Sequence, residues 1–164
     1  MKSKKLIIAL VLAAVMLLGY ITYGVTDGIT EDMVKSYTTP ENSQNIIKTV
    51  LEDTGRSGQF NPASANGLNV YFGNILSTES NDILIDAGFG QNNSLVALYT
   101  LEDDIYQYVT EVGLFSEIES IQLFPVTTLG RDIFLITEIS NQLLGAFEID
   151  QFLKGYGWFD GRIQ

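Results

Sequence analysis

The sequence predicts a mainly β fold with one packed helix. The expected form is an antiparallel open sheet or small sandwich built from two blade-like repeats, with a transmembrane or signal helix at the N-terminus. Three observations carry this expectation. From residue 68 to the end, short apolar runs follow one another almost without break, separated by polar or glycine-containing turns. Residues 40–53 instead space their apolar side chains as a helix does. A pattern of polar turn, strand, link, strand, acidic turn and strand occurs twice. Its first copy runs from Asn81-Asp82-Ile83-Leu84-Ile85-Asp86 through Ser94–Tyr99 to Asp103-Asp104-Ile105-Tyr106. Its second runs from Arg131-Asp132-Ile133-Phe134-Leu135-Ile136 through Leu144–Phe147 to Phe159-Asp160-Gly161-Arg162-Ile163.

The chain opens on Lys2, Lys4 and Lys5, followed by Leu6–Leu18 without one polar side chain. A basic start before such a run reads as an export signal, with the lysines retained in the cytoplasm and the body outside. Two outcomes remain open. Residues 6–23 would measure about 27 Å as a helix, close to the ~30 Å of a hydrocarbon core. Tyr20 and Tyr23 would then lie at the outer interface and the chain would be anchored to the cell membrane. Alternatively, cleavage near Gly24, with Thr22 and Gly24 as the small residues, would release a secreted protein. The reading is therefore a signal sequence or transmembrane anchor over 1–24, a polar spacer over 25–39, and an extracytoplasmic helix plus β domain over 40–164.

The helix has its own punctuation. Thr39 stands at the capping position, Pro40 suits the first turn, and Glu41 complements the helix dipole there. Ile46, Ile47, Val50 and Leu51 form one apolar face, and Gly55 supplies a stop. Residues 56–67 are rich in Gly, Ser and Asn and read as a loop. Strands are expected over 68–76, 82–87, 94–101, 105–112, 117–124, 132–138, 143–149 and 155–163. Within 82–87, Asp82, Leu84 and Asp86 alternate with Ile83, Ile85 and Ala87, which suggests a mixed outer face. Ile133-Phe134-Leu135-Ile136 is apolar on both faces and suggests a central strand. Tyr106 and Tyr108 are expected to share a face with Val112. Short turns favour hairpins and meanders.

Composition removes several functions. With 46% hydrophobic residues the body is globular rather than disordered. The chain has no Cys and no His. A disulfide framework, a thiol nucleophile, a lipid-modified cysteine and a Ser-His pair are therefore excluded within it. Net charge is −11, and every acidic residue lies after the three N-terminal lysines. Such a body repels phosphate backbones, so nucleic acid is not an expected partner.

The repeated segments resemble the FG-GAP/VCBS-type repeat of exported bacterial proteins. The residues concerned are Asp82–Ile85, Asp132–Ile136, Gly90–Tyr99 and Gly157–Arg162. The resemblance implies blade-like antiparallel units with a binding or structural role. It also implies a calcium loop before each first strand. This chain departs from that pattern, because Ser77–Asn81 and Thr127–Arg131 supply too few carboxylates for six to eight oxygen ligands. No metal and no cofactor is expected.

Candidate chemistry is sparse, and no catalytic residue is assigned. Glu102-Asp103-Asp104 reads as a solvated hairpin turn. Asp82 and Asp86 lie on one strand face roughly 13 Å apart, beyond the separation of a glycosidase pair. Gly88-Phe89-Gly90 lacks a following helix, so a phosphate loop is not expected. Tyr156 and Trp158, with Asn92 and Asn93 on a loop, form the candidate ligand surface, since exposed aromatics stack on sugar rings and partner side chains. The first functional expectation is a non-catalytic, membrane-tethered extracytoplasmic domain contacting envelope proteins. The second is a binding module for a small ligand or glycan. The third is an envelope hydrolase whose carboxylates the fold would bring together.

Overall fold

The structure, a computed structural model, describes residues 28–61, 63, 67–89, 93–140 and 150–164. The proposed membrane segment and the strand expected over 143–149 lie outside the described residues. Among those described, no helix is long and apolar enough to cross a membrane.

The chain is mainly β, with antiparallel pairing throughout. Strand β1 (Ile29–Thr30) leads into a short helix, α1 (Glu31–Lys35), and then into α2 (Pro40–Asp53). A 3₁₀ turn at Ser57–Gln59 precedes β2 (Gly67–Gly73), β3 (Asp82–Gly88), β4 (Ser94–Glu102) and β5 (Ile105–Phe115). These strands form a five-stranded sheet ordered β1-β5-β4-β3-β2. After the single residue Ser116 the chain continues as β6 (Glu117–Val126), β7 (Arg131–Ser140) and β8 (Asp150–Tyr156). These make a second sheet ordered β6-β7-β8. A small hairpin, β9 (Trp158–Phe159) with β10 (Arg162–Ile163), ends the chain.

Helix α2 forms for the reasons legible in its sequence. Ile46, Ile47, Val50 and Leu51 are all buried, and Gly55 stops the helix with φ +73°. Thr39 occupies the capping position but makes no side-chain cap. Its hydroxyl donates instead to the Ser36 carbonyl at 3.0 Å. The end of the helix is tied to the sheet by the Tyr99 hydroxyl, which donates to Asp53 Oδ2 at 2.9 Å. Arg56 adds a two-pronged bond to Glu111 at 2.6 and 3.0 Å. Part of the span read as a spacer is built into the fold, since Ile29 and Val34 join the core beneath α2.

The first sheet is the middle layer of the molecule. On one face Ile83, Ile85, Ala87, Leu95, Ala97 and Tyr99 pack with the apolar side of α2. On the other, Leu84, Val96 and Leu98 meet Ile121, Phe134 and Ile136 of the second sheet. Each fully buried large side chain contributes roughly 1.5–3 kcal/mol, so this double coverage makes β3 and β4 the heart of the fold.

The strand buried on both faces is therefore β3, where every residue from Asp82 to Ala87 is buried, and not the mixed-face strand expected. Conversely, β7 buries Phe134 and Ile136 but leaves Ile133 and Leu135 partly exposed, because nothing among the described residues covers its outer face. Tyr106 and Val112 do not share a face. The β4–β5 register slips twice, leaving Val109 and Val112 unpaired opposite β4. Each extra residue reverses the alternation, so Tyr106 packs under α2 while Val109 and Val112 pack against the second sheet. The expected strand over 155–163 is broken, with β8 ending at Tyr156. The Asp160-Gly161 turn, at φ +50° and +77°, then folds β9 back on β10. An Asp-Gly pair with both φ positive is the preferred two-residue hairpin turn. Asp103 and Asp104 also adopt positive φ, at the β4–β5 turn, and both are exposed.

Within the second sheet an ion pair with a partly exposed lysine links β7 to β8. Glu138 on β7 accepts from Lys154 Nζ at 2.6 Å and from the Ser116 amide at 2.9 Å. Burial opposes ionisation of Glu138, but those two hydrogen bonds and the lysine charge together hold its carboxyl below the ordinary 4.5. A depressed folded value means this contribution is complete above about pH 4.5 and is lost as the pH falls through the folded value. Glu138→Gln is expected to lose about 1–2 kcal/mol at pH 7. The gap from wild type should close on acidification, as read by urea unfolding at pH 7 and pH 3; a gap independent of pH would remove the ion pair from this account.

Candidate functional site

At the end of the sandwich where the chain switches sheets, β2, β3 and β4 leave a cleft of about 240 Å³ against the Ser116 crossing. Its lining includes Asn69, Asp86, Asn93, Ser94, Ser116 and Glu117. Local sequence explains the opening. Asn69 and Asp86 are cross-strand partners on β2 and β3, and Val96 follows in register on β4. The even positions of β3 face the second sheet, so Asp86 points where Leu84 packs, one step beyond the apolar contact. The second sheet departs at Ser116 and leaves the carboxylate a polar chamber.

Asp86 is the centre of the cleft. It is 5% exposed. Asn69 Nδ2 donates to its Oδ2 at 3.2 Å, while Oδ1, fully buried, has no partner in hydrogen-bonding geometry. Burial pushes its pKa above the ordinary 3.8, against the pull of Asn69 and Ser94. Between 3.8 and the raised value the folded protein binds more protons than the unfolded chain, so this group subtracts stability as pH rises through that window. Asp86→Asn is therefore expected to be at least as stable as wild type at pH 7, with the difference vanishing below pH 3.8. Urea unfolding at the two pH values measures it, and a variant markedly less stable at pH 7 would show that the charge is structural.

The other acid of β3 behaves differently. Asp82 is 1% exposed, and its Oδ2 accepts from the Ile75 and Leu76 amides at 2.7 Å each and from the Ser80 hydroxyl at 2.6 Å. It organises the β2–β3 loop. Asp82 and Asp86 stand at opposite ends of β3 and do not converge. A second cleft, of about 420 Å³, lies beside Asp82, Phe72 and Tyr106; there Asp82 Oδ1 is likewise buried without a partner, while its Oδ2 is held by two backbone amides and a hydroxyl.

Of the residues expected to form a ligand surface, only Asn93 lines the cleft. Asn92 lies outside the described residues. Tyr156 stacks on Phe134 at 5.4 Å between ring centres and meets Phe115 edge-on at 6.5 Å. Trp158 packs against the second core, and its carbonyl accepts from Arg131 at 2.5 Å. These two aromatics are half-buried parts of the β7–β8 packing rather than a flat exposed platform. The buried acid of the cleft, Asp86, was not among the residues singled out for a ligand surface, although the sequence shows it as an acid on one face of a strand rich in apolar residues.

Among the described residues, no three acidic side chains converge as metal ligands. No family model matches the chain, and no curated protein sequence matches it.

Proposed function

We propose that this chain is a non-catalytic domain that works outside the cytoplasmic membrane, tethered through residues 6–23, and that it binds a small polar ligand in the Asp86 cleft. The observation that supports this most is that Asp86, with a buried carboxylate oxygen lacking a partner as Asp82 also has, lines a cleft whose other polar residues are Asn69, Asn93, Ser94, Ser116 and Glu117. Native folds rarely leave such an atom unmatched, and a ligand that supplies a donor would satisfy it. At about 240 Å³ the cleft suits a group of a few heavy atoms and not a drug-sized molecule. A glycan stacked on Tyr156 and Trp158 has less support, since both rings are engaged in packing. The likeness to FG-GAP/VCBS-type repeats accords with a binding role.

Protein contact is the second reading, supported by the outermost strand of the second sheet. Phe152 and Leu153 on β8 are 47% and 67% exposed, and among the described residues no strand pairs on its far side. Exposed apolar side chains on an open edge suit an added strand from a partner.

Thermal denaturation of the full-length protein in detergent, against a panel of small polar compounds, tests the ligand reading. At least one compound should raise the melting temperature of wild type but not of Ser116→Tyr, which fills the cleft from an exposed position. A panel that shifts both proteins alike, or neither, would remove the cleft from the proposal. Fractionation of intact cells tests the location. A membrane-bound, full-length species digestible from outside is expected, whereas a soluble species beginning near Val25 would replace the tether with secretion.

A further inference from the structure

Resting on the reading of the cleft as a ligand site, we infer that the group it recognises is a primary ammonium. Four features of the lining point to this chemistry. Asp86, which lines the cleft, carries an acceptor, Oδ1, that is buried and without a partner. Glu117, exposed, is a second acidic residue of the lining, while among the described residues no lining residue is basic. A carboxylate or phosphate ligand would therefore enter against like charge and find no cation to meet it. Among the described residues no aromatic side chain lines the cleft, so a quaternary ammonium would lack the ring faces such groups use.

An –NH₃⁺ group fits these constraints. It offers three donors and no acceptor. One donor matches Asp86 Oδ1, and Asn93 and Ser94, which line the same cleft, carry side-chain oxygens able to accept the others. The bond to Asp86 would be charge-assisted and formed away from water, where such bonds are strongest. The volume of about 240 Å³ accommodates the ammonium and a short aliphatic stem. The acidic body, −11 overall with all its acids beyond the N-terminal lysines, favours approach of a cation. The chemical class is thus a small alkylamine or the terminus of an amine-bearing side chain.

The test is titration of the full chain, isotopically labelled in detergent micelles, with n-butylammonium, n-butanol and tetramethylammonium at matched ionic strength. Amide resonances of Asn69, Ser94 and Ser116 are followed. Saturable shifts with n-butylammonium are expected. Butanol, which lacks the charge, and tetramethylammonium, which lacks the N–H donors, should bind at least about tenfold more weakly. Asp86→Asn should weaken n-butylammonium by a similar factor. Circular dichroism checks that this variant is folded; if it is not, Glu117→Gln is read instead and should weaken binding by a smaller but measurable factor.

Equal shifts with butanol, or unchanged affinity in the folded variant, would overturn the ammonium assignment. In that event a compound from the panel above that binds wild type and not Ser116→Tyr would still uphold the cleft. Shifts by no probe, together with no such compound, would overturn both.

Discussion

Asp82→Ala is expected to destabilise the protein by about 3 kcal/mol. One carboxylate oxygen receives two backbone amides and a hydroxyl, all within 2.6–2.7 Å. Removing it strands the amide of Ile75, a residue with no exposed surface, away from any acceptor. A buried donor left unmatched carries the full desolvation penalty of about 1–3 kcal/mol, and the second amide adds to it. Asp82→Asn keeps one acceptor oxygen and should lose less than half as much. Urea unfolding of the three proteins at pH 7 reads both values. Equal losses for Ala and Asn would show that the charge matters and the acceptor geometry does not.

Phe134→Ala should lose about 3–5 kcal/mol, the usual range for emptying a large aromatic site in a packed core. Phe134 is wholly buried, stacks on Tyr156, and belongs to the cluster that joins the two sheets. Trp158 borders the same cluster and is the chain's single tryptophan, so its fluorescence reports on this layer directly. Far-ultraviolet circular dichroism reports on the whole domain. Coincident transitions by the two probes, shifted together in the variant, would show that the second sheet and the helix-covered sheet unfold as one unit. A tryptophan transition that precedes the other would mean that the second sheet detaches first.

Much of this fold could be read from the residues, for reasons that differ by element. Helix α2 was legible because a four-residue apolar face and a terminal glycine have no good β interpretation. Strands β3 to β6 were legible because turn residues bracket each apolar run. What remained hidden was long-range. Whether Asp82–Ala87 meets water on one face depends on a second sheet that begins beyond Ser116, and alternation alone cannot report that cover. The bulges at Val109 and Val112 were equally hidden, since two valines on a strand look the same whether paired or extra. The cleft illustrates both sides. Asn93 was singled out from its polar loop, whereas Asp86 was weighed only with Asp82 and set aside because the two lie too far apart to act as a carboxylate pair. The residues that line the cleft with it, Asn69, Ser94 and Ser116, come from three other places in the chain and are brought together by the fold.

The order of strands has a consequence for how this protein comes into being. Both sheets are built on meanders, with β2-β3-β4-β5 and β6-β7-β8 each laid down in sequence order, and among the described residues only the short β1 strand, paired at the edge with β5, departs from that order. Hairpin pairing between consecutive strands lets each sheet form largely from local connections. The first sheet and its helix can therefore close as soon as Phe115 has been synthesised. At that moment Leu84, Val96 and Leu98 have a neighbour on only one side. Until β7 arrives, the nascent domain carries an uncovered apolar wall, the kind of surface that draws chaperones and aggregation. The interval between the appearance of Phe115 and Ile136 is thus the vulnerable period in the life of the chain.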